Sequence, residues 1–561
     1  MCVLGFRSLA VRWMAEAKEK EAHFNDVNLR YMIDEIKHQA KSRAAGNLIQ
    51  ESCANGIFLA DGLVPADLKA ALEAGVARLE NIPEDKKDYH PGTNKQVIDL
   101  VHPSLYCFRI GFSKETSEPI PLDNTLEMFG AGVVKGEKPV PLIDQPVGAD
   151  GAASSSAAAA EPEPEPAVPA WGARRRKAKN GPWADKADYA ESSHFAWLPS
   201  DFSVDDAGKV RIESYINNLH PTEHADLYPV LERLCELFLP MWERVLNYLK
   251  NPPPHRVNVG NSDWYEPPPE IKAALLEKKK AAKAEKAAAK AAAMVDEGKK
   301  DDEEEEPEED SDEESNHDDD DDWQENRPIY LPDIKTPFKD PADLPVDKLV
   351  SLNGRKLQII VKLANIELTP ENPSYKGGSW HVEGMLNERI VASGIYYYHS
   401  SNITESKLAF RQACEEPGYE QSDDRGVREV YGLANEAALN QPLGSLITQA
   451  DRMIAFPNIH QHRVQPFELV DKTKQGLRKI LVFFLCDPAV PVVSTATVPP
   501  QQMAWFKAAH AQSLIHRAFH EATPLIDDLT NIALEYIQDE LGVISDERAK
   551  KDRSHLMDER T

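Results

Sequence analysis

The chain has 561 residues, 41% apolar and 28% charged, with a formal charge of −29 and six cysteines, enough length for a large core and more than one domain. Residues 301–322 carry 17 of the acidic side chains and no Lys or Arg, leaving about −12 for the rest, so the acidity is mostly local and argues against a broad electropositive face for nucleic acid. The cysteines show no CxxC and no paired spacing, which excludes a zinc ribbon and suits a reducing, intracellular compartment, cytoplasmic or nuclear.

The N-terminus, MCVLGFRSLAVRWM, runs straight into charged AEAKEKEAHFNDV and reads as mature protein rather than a signal peptide. Residues 9–43 read as helical: Leu9, Val11, Trp13 and Met14 open an apolar face that Leu29, Met32, Ile33 and Ile36 continue. A further helix lies within 56–83, with Pro65 at its start and Asp67 in its first turn. VIDLVHPSLYCFRIG, 97–111, reads as a strand or a packed loop. These segments form a mainly helical region, 1–147.

Residues 148–190 are expected to be a disordered linker, since small residues and prolines dominate 148–181. The basic run Arg174–Lys179 is a solvated linker patch or a nuclear import signal. A helical region, 191–269, follows. In it Leu227, Leu231, Leu234, Phe238, Trp242, Val245 and Leu249 recur at three or four residues. Pro229 suits a first turn, while Pro240 should break or kink the run. The insert 270–325 joins an Ala/Lys/Glu-rich stretch to the acidic tract. Self-repulsion keeps such a tract disordered, and it offers a surface to a basic protein partner.

From 326 to 498 the texture changes to short β-rich runs separated by turn residues. It predicts a sandwich or jelly-roll barrel rather than alternating β-α units. The tail, 499–561, returns to helical periodicity. No stretch reaches the roughly 18 apolar residues of a membrane span, and no P-loop or dinucleotide fingerprint occurs.

GGSWHVEG puts His381 and Glu383 two residues apart beside an expected strand, where side chains at i and i+2 share a face. His462, in NIHQHRVQPF, is the third candidate ligand, with His460 as its competitor. Two histidines and one carboxylate leave open positions on an octahedral iron(II) for a cosubstrate and oxygen.

Lys356 to Pro488 resembles the double-stranded β-helix of the iron(II)/2-oxoglutarate-dependent dioxygenases. More closely, the whole chain resembles the mostly fungal, uncharacterised DUF4246 family. VRWMAEAKEK, VIDLVHPSLY, FAWLPSDF, LQIIVKLANIELTPENPSYKGGSWHVEG and FPNIHQHRVQPFELVDKTKQGLRKILVFFLCDP carry that likeness.

The dioxygenase resemblance implies a jelly-roll core within an α+β chain, with packed helices and two disordered inserts. It implies His381, Glu383 and His462 as iron(II) ligands. Arg478, in GLRKILVFF, would grip the far carboxylate of 2-oxoglutarate, a role suited to a guanidinium. Of the tyrosine run 396–398, Tyr396 is the expected lining residue of the cosubstrate pocket. The chain departs from the pattern in using Glu rather than Asp, and in the 16 residues between His462 and Arg478. The implied activity is hydroxylation or oxidative demethylation of an unknown substrate. The alternatives are a cupin-like metal oxygenase without 2-oxoglutarate and a non-catalytic interaction protein working through its acidic tract.

Overall fold

The structure, a computed structural model, describes residues 3–20, 25–136 without Cys53, 190–253, 349–419, 423–509 and 540–560, with scattered positions in between. Nearly all of the expected linker, with its basic run, most of the acidic insert, and 510–537 of the tail lie outside the described residues.

The chain divides into two compact units. The first comprises Met1–Ala40, Pro254–Pro341 and Ala413–Gln441. It includes α1 (Val3–Lys20) and most of α2 (Asp26–Ala44). Leu29 and Ile33 of α2 are buried, and Tyr31 meets Phe338 edge-on at 5.5 Å. The second comprises Lys41–Pro253, Ala342–Gln412 and Pro442–Thr561 and contains the candidate site.

The second unit carries α3 (Ala66–Glu80), α4 (Leu227–Lys250) and most of the strands. In chain order these begin with β1 (Ile49–Glu51), β2 (Phe58–Asp61), β3 (Val97–Val101), β4 (Phe108–Arg109), β5 (Lys114–Glu115), β6 (Val133–Val134), β7 (Phe195–Ala196), β8 (Ser200–Val204) and β9 (Val210–Ile212). They continue with β10 (Lys356–Leu368), β11 (Ser374–Tyr375), β12 (Ile390–Ser401), β13 (Lys407–Ala413), β14 (Asn440–Ile447), β15 (Arg452–Pro457), β16 (His460–Val464), β17 (Phe467–Glu468) and β18 (Gly476–Cys486). Two helices complete the list, α5 (Asp424–Tyr431) in the first unit and α6 (Asp546–Arg560) in the second.

Nine strands form one antiparallel sheet, eight of them in the order β1-β2-β15-β12-β18-β10-β8-β9 and the ninth, β3, paired with β10. β10 pairs with β18 on one edge and shares its other edge between β8, at Lys356–Ile359, and β3, at Leu363–Ile366. A separate three-stranded sheet has the order β14-β13-β16. The expected jelly-roll barrel is overturned: no sheet among the described residues closes, and the fold is α+β with open sheets. The reason lies in residues 49–212. β1 and β2 add beyond β15 and β9 adds beyond β8, so the end strands that closure would pair instead lie at opposite edges.

One face of the large sheet is sealed by α4. Its apolar residues recur at helical spacing, so one stripe meets the sheet. Phe238 and Trp242 stack at 5.4 Å, and Phe238 meets Phe483 of β18 edge-on at 5.7 Å. The fit leaves no room on β12: a Cβ at Gly394 would lie 2.7 Å from the Phe238 ring. α4 runs unbroken through Pro240, contrary to the expected break. Pro240 is exposed, while Phe238, Leu239, Met241 and Trp242 around it are buried, so packing outweighs the lost backbone hydrogen bond.

α6 is held differently. Its buried residues include Asp552 and Arg553. Ion pairs fix it: Arg109–Asp552 at 3.2 Å, Arg553–Asp88 at 2.6 Å and Arg560–Glu388 at 2.7 Å. Among the described residues no helix is long and apolar enough to cross a membrane.

A candidate metal centre

The opposite face of the large sheet carries Ile360, Tyr397, Val482 and Phe484, which cluster with Phe410 of β13 and Phe456 of β15. His462, on β16, sits directly across from Phe410 and packs 4.8 Å from the Phe456 ring. Its side chain is 4% exposed.

β11 pairs with β17, and the chain then follows the β16 edge back toward His462. Gly377 has φ +93°, and a Cβ there would lie 2.8 Å from the Val464 carbonyl oxygen, so this approach needs glycine. Gly378 N–H donates to the same carbonyl at 3.0 Å. His381 and His462 then exchange both backbone hydrogen bonds, at 3.2 and 2.9 Å. His381 thus stands in a single bridge rather than in the strand the sequence suggested.

Glu383 reaches the same point by a turn. Asn458, between β15 and β16, clamps its backbone. The side-chain oxygen accepts the Glu383 N–H at 2.9 Å, and Nδ2 donates to the Glu383 carbonyl at 2.8 Å. The carboxylate oxygen Oε1 lies 3.2 Å from His462 Nε2 and 3.7 Å from His381 Nε2. The three donor atoms fall within 4.8 Å of one another. This is a two-histidine, one-carboxylate cluster of the kind that holds a metal ion.

The protonation pattern suits that use. His381 Nδ1 lies 2.8 Å from the Ser379 carbonyl oxygen. A carbonyl only accepts, so Nδ1 carries a proton, which leaves Nε2 as the ring nitrogen that faces Glu383 and could face an ion. Burial would raise the Glu383 carboxyl, but its contacts with His381 and His462 outweigh that and hold it well below the usual range. Burial, with His381 alongside, lowers His462 despite Glu383. For His381 burial also works downward, yet Glu383 and the Ser379 carbonyl prevail and raise it.

Arg478 is 2% exposed. Its guanidinium carbon lies 4.9 Å from the Tyr397 ring centre and 5.8 Å from that of Phe467, and its Nε has no hydrogen-bond partner among the described residues. Tyr396, named from the sequence, points the other way. It joins the cluster packed on α4, and its hydroxyl donates to Asp451 at 3.2 Å. Tyr397 is the tyrosine of the run beside Arg478, since alternation puts it on the face opposite Tyr396. His460 packs 6.3 Å from Tyr248 and is not among the clustered donors. Trp380 lies between Arg411 and Arg463, 4.6 Å from each. Asn458 was missed, because nothing local marks a side chain that clamps backbone 75 residues away.

The family model described as "Protein of unknown function (DUF4246)" matches residues 26–509. The chain belongs to the DUF4246 family. No curated protein matches it. Among solved structures this DUF4246 chain is similar to IDO from Bacillus thuringiensis, at 14% identity and a TM-score of 0.16, over 24% of this chain and 46% of that one. It is also similar to the Fe(II)/α-ketoglutarate-dependent dioxygenase TqaL, at 15% identity and 0.16, over 29% and 52%. A third is oxalate decarboxylase from Lactobacillus farciminis, at 10% identity and 0.12, over 30% and 38%. The chain spans about half or less of each of these proteins, and likeness at this level carries no argument about activity.

Proposed function

We propose that this DUF4246 chain is a non-haem iron(II) oxygenase that uses 2-oxoglutarate to hydroxylate, or to demethylate by hydroxylation, a substrate that remains to be identified. The observation that carries the reading is the convergence of His381, Glu383 and His462, with His381 Nδ1 bonded away from the cluster. Two imidazoles and a carboxylate suit iron(II) and leave part of its coordination free. Bound there, iron(II) would supply oxidation of a C–H bond, with one atom of O₂ entering substrate and the other entering the succinate left when 2-oxoglutarate loses carbon dioxide.

The chain's own residues do the rest. His381 and His462 would each offer Nε2 to the ion on losing its proton, and Glu383 stays ionised. Phe410 and Phe456 wall His462 from water. Arg478 supports the choice of cosubstrate. Among the described residues it has no ion-pair partner, and a buried unpaired guanidinium is costly. An incoming carboxylate would relieve that cost through paired N–H donors, with Tyr397 and Phe467 confining the guanidinium.

Anaerobic titration of the iron(II)-loaded protein with 2-oxoglutarate, followed by its charge-transfer absorption, tests this reading. Saturable binding that Arg478→Ala weakens is expected. Equal affinity in both proteins removes 2-oxoglutarate from the proposal and favours a cupin-like oxygenase without it.

A further inference from the structure

Away from the His381 cluster, three more side chains converge. His90, Asp99 and His102 each offer one donor atom, and these lie within 4.8 Å of one another. The backbone builds the group locally. His90 N–H donates to the Val97 carbonyl and Asp99 N–H to that of Asp88, both at 2.9 Å. His102 follows Asp99 by three residues, just past the end of β3. The two imidazole rings lie 5.2 Å apart. Asp99 Oδ2 lies 2.8 Å from His90 Nδ1 and 4.0 Å from His102 Nε2. The Asp99 side chain is 1% exposed, and its other oxygen, Oδ1, has no hydrogen-bond partner among the described residues. A buried carboxylate oxygen left without a donor is costly. Asp99 and His102 also line a cavity of about 430 Å³.

We propose that His90, Asp99 and His102 form a second divalent-metal site, taking zinc(II) or a similar first-row ion, with its remaining coordination open to that cavity. Two imidazoles and a carboxylate are the donors such ions prefer. The site is independent of the reading at His381.

Two features set its strength. Arg553 Nη1 lies 3.5 Å from Asp99 Oδ2, but it is matched by Asp88, with hydrogen bonds of 2.6 and 3.0 Å. Lys362 also acts on Asp99 as a positive charge. The Ser104 N–H donates to His102 Nδ1 at 3.2 Å, so the neutral ring carries its proton on Nε2, and an entering ion must displace it.

The test is equilibrium dialysis of the full chain against zinc(II) alone. The native chain is expected to bind two equivalents, and His381→Ala/His462→Ala one. Adding Asp99→Ala to that double variant removes the last. A double variant that binds none overturns the proposal and leaves Arg553 as the cluster's sufficient cation. If Asp99→Ala does not fold, cobalt(II) bound to the His381→Ala/His462→Ala protein decides. A histidine-coordinated visible spectrum supports the site, and the spectrum of aqueous cobalt(II) overturns it. Absence of the first equivalent with retention of the second would instead count against the His381 reading alone.

Discussion

His381 and His462 are joined twice through their backbones, by hydrogen bonds of 3.2 and 2.9 Å, and their rings stand 4.4 Å apart. The spacing of the two imidazoles is therefore set by a β-bridge and not by flexible side chains. Glu383 has no such bridge and depends on Asn458. Asn458→Ala is thus expected to weaken metal binding about 10–100-fold, as loss of an outer hydrogen-bonding partner does. Isothermal titration with cobalt(II) measures it, and an unchanged affinity would remove Asn458 as a positioning residue.

Arg478→Met should separate stability from cosubstrate binding. Among the described residues the guanidinium is buried without an ion-pair partner, so replacing it with an apolar side chain of similar length leaves the cosubstrate-free fold unchanged or more stable in urea unfolding. Affinity for 2-oxoglutarate should fall about 10–100-fold, the worth of a charged hydrogen-bonded contact. Marked destabilisation would mean that Arg478 serves the fold.

The cluster gives the metal-free protein opposed pH dependences. Glu383 has a depressed folded pKa, so its contribution is present above the ordinary carboxyl value and is lost as the pH falls through the folded value. His381 has a raised folded pKa, so its contribution is complete below the ordinary histidine value of about 6.5 and is lost as the pH rises through the folded value. Metal binding runs against the histidine contribution, because a proton on His381 competes with the ion. Between about pH 6 and 8 the metal-free protein should lose the His381 contribution while metal affinity rises, and His462, whose folded pKa is lowered, contributes in the opposite sense. Thermal unfolding and metal titration across that range check both slopes. His381→Ala should flatten the first.

The α4 face is expected to be intolerant. Phe238→Ala should cost about 3–5 kcal/mol, the usual range for a fully buried phenylalanine. Gly394→Val should also destabilise, since the added side chain meets the Phe238 ring. Urea unfolding reads both, and a loss under about 1 kcal/mol for either would contradict this packing.

Local pattern carried the features that are themselves local. The apolar spacing of α4 and the strand-like apolar runs of β10 and β18 are visible in the residues. His381, Glu383 and His462 were legible because their types and order follow a chemical pattern. Sheet closure was not legible, because it depends on which distant strands take the edges. β1 and β2 lie in the region 1–147, expected to be mainly helical, and outside its predicted helices, yet they lengthen the sheet beyond β15. Tyr396 and Tyr397 differ by one position, which in a strand is the whole difference between faces. His90, Asp99 and His102 sit at spacings of nine and three residues that match no motif, and only the turn before β3 brings them together.

Anomalous X-ray diffraction at the iron edge, from crystals loaded anaerobically with iron(II), tests the central claim most directly. A peak within coordination distance of His381 Nε2, a Glu383 carboxylate oxygen and His462 Nε2 is expected. A well-ordered cluster with no anomalous density among these three atoms would contradict it.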